Sequence, residues 1–398
     1  MRVSLLDLSE QYRALAEPIR AEIDEVLRTQ DFILGAKVEE FEAAIAQFCG
    51  VPHAIGVSSG TDALLAILMA FGLGRGDAVI TTAYTFFATA GCIARVGATP
   101  VFVDIEPNTY NISPVAVERY LRENCQRDAD GVLRNERGEH VRALVPVHLF
   151  GLCCEMKALQ AIAAEYGLAL IEDAAQAIGA EYPSAAGPKQ AGAMGIAGCF
   201  SFYPSKNLGA AGDAGLVICR DDDVADRLRV LRQHGMELRY FHHVIGGNFR
   251  LDGIQAAVLK VKLPFLNEWS AARRTVADFY REEFTARGIT GHLTLPAEPF
   301  RGAGLTNHHI YHQYVIRTAQ RDRLRDHLSQ RGVGTAIYYP LGLHQQKCFE
   351  YLGYCEGDLP ETERAARETL ALPIYPELTR EQQPYVVDSI ADFFAAKN

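Results

Sequence analysis

The chain has 398 residues, 48% hydrophobic and 22% charged, the balance of a soluble globular protein long enough for two domains and a large core. A formal net charge of −10 excludes the basic surface on which sequence-independent nucleic-acid binding depends. No apolar run reaches membrane-spanning length, and the start Met1-Arg2-Val3-Ser4-Leu5-Leu6-Asp7 lacks a signal peptide's apolar stretch and cleavage site, so neither membrane nor export is expected.

Apolar spacing predicts helices over residues 10–29 and 37–48. The chain then alternates. Strands are expected over 53–57, 78–81, 100–104, 143–148, 169–172, 199–202 and 215–219. Helices are expected over 61–71, with Ser58 or Ser59 near its N-cap, and over 85–96, 114–123 and 157–166. Residues 124–140, with turn signals around Gly131 and Gly138, read as a peripheral surface hairpin. Helices over 251–263 and 267–287 are separated by Pro264, where a domain boundary is expected: 1–263 large, 264–398 small. Beyond it, strands are expected over 310–318 and 334–339, and helices over 320–331, 360–370 and 379–395. This alternation predicts an α/β fold with a mostly parallel central sheet and a smaller C-terminal α/β domain. The nine cysteines are scattered without a CxxC pair and are expected as reduced thiols in a cytoplasmic protein. His234, His242 and His243 have no carboxylate or thiol at ligand spacing, so no metal site is expected.

Ligands of mostly parallel sheets bind beyond the C-terminal strand ends, where three chemically suggestive segments fall. Ser58-Ser59-Gly60-Thr61 opens a helix, whose free amides and positive dipole end favour a phosphate. Asp173 follows a buried-looking strand and can face a protonated pyridine nitrogen. Lys206 lies just past the strand at 199–202, between the aromatics Phe202 and Tyr203 and the small residues 209–215. A lysine there can bond to an aldehyde cofactor, then move a proton as general base and acid. Ser201 can place a hydroxyl on a phosphate, and Phe86 can stack on a ring. Each residue alone has an ordinary explanation: a helix cap, a strand serine, a core aromatic or a solvated lysine. Their joint order along one α/β sequence points to pyridoxal 5'-phosphate (PLP) as cofactor.

The chain resembles the DegT/DnrJ/EryC1/StrS family of PLP-dependent nucleotide-sugar aminotransferases over essentially its whole length. The resemblance rests on Ser59-Gly60-Thr61-Asp62-Ala63-Leu64, Tyr84-Thr85-Phe86-Phe87-Ala88-Thr89, Pro100-Val101-Phe102-Val103-Asp104 and Glu172-Asp173-Ala174-Ala175-Gln176-Ala177. It also rests on the segments 201–209, 248–257 and 372–379. It implies fold type I and a homodimer with shared active sites. It implies that Lys206 bonds the cofactor, Asp173 faces the ring nitrogen and Gln176 the ring hydroxyl. Phe86 would stack on the ring, and Gly60, Thr61 and Ser201 would hold the phosphate, joined by Asn248 from the partner subunit. Arg239, His242, His243, Arg250, Tyr338 and His344 are candidates for the sugar and diphosphate.

Three departures stand out: Thr82 where the family often has Pro, Gly247 in place of Tyr, with a wider sugar pocket expected, and the 124–140 insertion. The expected reaction is amino transfer, with glutamate as donor, to a nucleotide-linked keto-sugar. The segment 239–252 is similar to the 3-keto branch. A 4-keto substrate, a PLP-dependent sugar dehydratase and a non-enzymatic regulator are the alternatives. Lys206 opposes the dehydratase, whose relatives carry a histidine there.

Overall fold

Strands that are apolar at consecutive positions have two faces to bury, and need helices on both. The computed structural model describes residues 1–395 and shows this arrangement. In chain order the main-sheet region contains β1 (His53–Val57), β2 (Asp77–Thr82), β3 (Thr99–Val103), β4 (Cys125–Arg127), β5 (Leu133–Asn135) and β6 (His140–Val145). It continues with β7 (Ala169–Asp173), the short pair β8 (Glu181–Tyr182) and β9 (Lys189–Gln190), then β10 (Ala197–Ser201) and β11 (Gly215–Cys219). The sheet order is β1-β11-β10-β7-β6-β2-β3. Only β11 runs against its neighbours along this path, so the fold is α/β with a mostly parallel sheet.

The two-residue period of the strands divides the core. Leu170 and Ile80 face one cluster; their neighbours Ile171 and Val79 face the other. The first cluster is covered by the helices Ala36–Cys49, Pro114–Asn124, Met156–Tyr166 and Gly253–Lys262. The second is covered by Gly60–Ala70, Ala88–Arg95 and Asp222–Leu231. The Asp222–Leu231 helix was not expected from the sequence. Asp221 caps it through the Val224 amide, and only a narrow stripe, Ala225, Leu228 and Leu231, is buried. The expected helix over 85–96 begins later, at Ala88, because residues 83–87 form a loop at the sheet's active edge.

The hairpin expected within 124–140 forms as β4 and β5. It is not free of the sheet: Arg134 of β5 pairs with His140 of β6. Pro264 lies in a short 3-10 turn, Leu263–Phe265, that links Gly253–Lys262 to the helix Leu266–Ala286. After two short strands, β12 (Met236–Leu238) and β13 (Phe241–His242), come the antiparallel pair β14 (Tyr314–Arg317) and β15 (Thr369–Leu372). The expected 310–318 strand is thus shorter, and 334–339 is not a strand but touches β15 by one bridge, Ala336 to Ala371. The helix expected over 360–370 stops at Glu368, and the chain turns into β15. Val3 packs into the same C-terminal core as Leu370 and Ile390.

A buried carboxylate ties the sheet to its loops. Glu172, fully buried in β7, accepts hydrogen bonds from the amides of Gly192 (2.8 Å), Met194 (2.6 Å) and Gly195. The Cys154 amide donates to His148 Nδ1, so the ring proton sits on Nε2 and is donated to Glu172 Oε2 at 2.8 Å. Glu172→Ala would leave all four donors unpaired and is expected to cost about 3–5 kcal/mol. Urea unfolding followed by circular dichroism checks this; a loss under about 1 kcal/mol would contradict the assigned role.

Candidate active site

Because β1, β2, β6, β7 and β10 are mutually parallel, their C-terminal ends share one edge. A cavity of about 730 Å³ opens there, in the range of small-molecule sites. Its lining includes Gly60, Thr61, Phe86, Asp173, Gln176, Ser201, Lys206 and Tyr338. Residues far apart in sequence thus meet at one site.

The phosphate end is built by close approach. A Cβ on Gly60 would fall 2.6 Å from the Ser201 Cβ, so only glycine lets the helix start rest on the end of β10. Ser59 caps that helix by accepting from the Asp62 amide at 3.0 Å. The Gly60 and Thr61 amides precede the first intrahelical bond and take no partner among the described residues. Two free amides beside the hydroxyls of Thr61 and Ser201 form an anion cradle.

Asp173 is buried at the end of β7. Its Oδ2 accepts from Thr89 at 2.8 Å and its Oδ1 from the Ala175 amide at 3.2 Å. Thr85 lies 3.1 Å from Thr89 and extends the relay. Gln176 accepts from the Phe150 amide at 2.8 Å and donates to the Tyr339 hydroxyl at 3.1 Å. Phe86 is 57% exposed and turns its ring into the cavity, 6.3 Å from that of Tyr339. Lys206 follows a turn closed by its own amide bonding to Tyr203 O at 2.8 Å. Burial pushes its amine down to about 8, against the opposing pull of the Asp173 carboxylate.

Among the described residues, the cavity lining does not include the other expected contacts. Asn248 is exposed, and its backbone bridges to Gln233. Arg239 stacks on Tyr240 at 5.1 Å, just before β13, and His242 donates to the His234 carbonyl. His243 faces Glu237 at 3.9 Å. Arg250 bridges by its backbone to Val57. His344 is sealed in the interior against Glu363 at 3.3 Å, which removes it from direct substrate contact. Gly247 does not widen this cavity: a Cβ there would fall 2.3 Å from the Phe249 ring. Thr89, His312, Gln313 and Tyr339 are among the contributors that sequence reading missed. Thr89 lay within a quoted motif, but no local pattern marks the other three.

A model of the DegT/DnrJ/EryC1/StrS aminotransferase family matches residues 13–391. The chain belongs to this family. It is 48% identical to the pleiotropic regulatory protein of Geobacillus stearothermophilus, over 99% of both chains. It is 39% identical to the UDP-N-acetyl-3-dehydro-alpha-D-glucosamine 3-aminotransferase of Acidithiobacillus ferrooxidans, over 96% of this chain and 95% of that one. The crystal structure of a DegT/DnrJ/EryC1/StrS aminotransferase from Brucella abortus has a TM-score of 0.89 at 35% identity, covering 98% of this chain and 99% of that one. The family is PLP-dependent. The free amides at Gly60 and Thr61, the oriented Asp173 carboxylate and the desolvated Lys206 amine fit that cofactor.

A lysine depressed to about 8 gains its neutral form as pH rises through that value. Only the neutral amine attacks an aldehyde, so PLP uptake by the apoprotein should rise about tenfold per pH unit below about 8 and level above it. Stopped-flow absorbance checks this; a rise continuing to about pH 10 would mean an ordinary lysine.

Proposed function

We propose that the protein transfers an amino group from glutamate to a nucleotide-linked sugar ketone, with the 3-keto position favoured. The observation that carries this is the meeting of Lys206, Asp173 and the Gly60–Ser201 anion cradle around one cavity. The Acidithiobacillus relative, named as a 3-aminotransferase, supports the keto position. Bound PLP supplies an electron sink for charge developing on the substrate carbon. Gly60, Thr61 and Ser201 would hold its phosphate. Asp173, fixed by Thr89, would keep a proton on the ring nitrogen. Gln176 would meet the ring hydroxyl, Phe86 would cover the ring face, and Lys206 Nζ would move the proton to and from the substrate carbon.

Leu238, Tyr240, Phe241 and Ile245 form an exposed apolar run, with Ile245 90% exposed. An apolar surface of that kind suits an interface, and Asn248, outside its own cavity, is offered to the partner of a homodimer. Arg239, His242, His243 and Arg250, also outside the cavity, lie on or beside the same run. No helix among the described residues is long and apolar enough to cross a membrane. The nine unpaired cysteines favour a reducing, cytoplasmic location. The break at Pro264 supports the division into 1–263 and 264–398.

Incubation with PLP, glutamate and a panel of dTDP-, UDP- and GDP-linked 3-keto and 4-keto sugars, read by mass and NMR, tests the reaction. Amination of a 3-keto sugar is expected, with at least a thousandfold loss in Lys206→Ala on the order of nucleophile removal. Amination of 4-keto sugars alone would reassign the position, and unchanged amination in Lys206→Ala would sink the mechanism. The shared site has a separate test. Mixing inactive Lys206→Ala and Asn248→Ala homodimers should restore activity, because mixed dimers carry one intact site. No recovery after demonstrated subunit exchange would rule out sharing.

A further inference from the structure

His312 is a buried imidazole that lines the cavity. Its polar partner is Asn207, the residue after Lys206, itself buried. Asn207 Nδ2 donates to the Ile310 carbonyl at 2.9 Å. A carbonyl can only accept, so the amide orientation is fixed and Oδ1 is the atom facing His312 Nδ1 at 3.2 Å. His312 must therefore carry its proton on Nδ1. Burial, with the charges of Lys206 and Arg273 nearby, keeps the ring neutral.

The segment holding His312 is anchored independently. Ile310 donates its amide to Gly151 O at 3.0 Å. Arg273 Nη1 donates to the carbonyls of Tyr311 (3.1 Å) and Ile374 (2.8 Å). Gly151 has φ +95°, and a Cβ there would lie 2.7 Å from Ile310 Cγ1, so the two segments pack backbone to backbone. Phe150, beside Gly151, is the residue whose amide holds Gln176.

We propose that His312 and Asn207 form a positioning pair for Lys206, fixing the turn that aims its amine into the cavity. This rests on the role given to Lys206. Asp173, Cys199 and His312 act electrostatically with the amine, and Asp213 lines the same cavity. Loosening the turn changes the amine's distance to Asp173 and its exposure to water, and both set its basicity.

The test compares H312F, N207L and H312N in the full-length apoprotein. Asparagine places an N–H near the position of the imidazole Nδ1, so H312N preserves the contact that H312F removes. PLP uptake at pH 7, the pH midpoint of that uptake and thermal unfolding are measured for each. H312F and N207L are expected to take up PLP about tenfold more slowly and to shift the midpoint from about 8. Their double variant should be no worse than N207L alone, because N207L already removes the His312 contact together with the bond to the Ile310 carbonyl. H312N should rescue most of the rate. Wild-type uptake in H312F, or an H312N as impaired as H312F, overturns the pair; if H312F fails to fold, N207L against H312N decides. A wild-type protein that takes up no PLP overturns the reading of Lys206 and this pair together. Normal wild-type uptake with unaffected variants overturns the pair alone.

Discussion

The site depends on an amine that is costly to keep charged next to a carboxylate that is cheap to keep oriented. Burial disfavours the Lys206 ammonium, and Asp173 partly restores it. The balance leaves a lysine whose neutral form is accessible near physiological pH, which ordinary surface lysines are not. Thr89 and the Ala175 amide fix the Asp173 carboxylate, so it acts as a preorganised charge and not a mobile one.

The sheet delivers that balance. Parallel strands stack their C-terminal ends, so Asp173, Ser201 and the Ser59 cap are set side by side without any local sequence relation. The β10 end also receives the Gly60 helix start at a distance that excludes a side chain. Phosphate cradle and lysine therefore share one strand. Glu172, immediately before Asp173 and on the opposite face of β7, has the matching structural role. It gathers three amides and His148, so the strand that presents the ring carboxylate is held from beneath.

Residues in the site were legible in the sequence where local pattern and chemistry coincided. Lys206, Asp173, Gly60 and Ser201 all sit at the ends of apolar runs, and the structure gathers them as expected. The contacts that tune them were not legible. Thr89 reaches Asp173 across 84 residues, His312 reaches Asn207 across 105, and Gln176 reaches Tyr339 across 163. No periodicity encodes such pairings. The same limit shaped the fold errors. Residues 360–370 are rich in helix formers, yet pairing with Tyr314–Arg317 pulls Thr369–Leu372 into a strand. His344 has the chemistry of a ligand-binding residue, but its position behind Glu363 gives it a different neighbour.

The β4–β5 hairpin joins the sheet at the start of β6, where Arg134 meets His140, whereas the cavity opens beyond the other end of that strand. Length and composition at its tip, around Asp128–Val132, are therefore mechanically separated from the chemistry by the full height of the sheet. A fluorophore or an affinity handle grafted into that turn would report on the protein without entering its reaction.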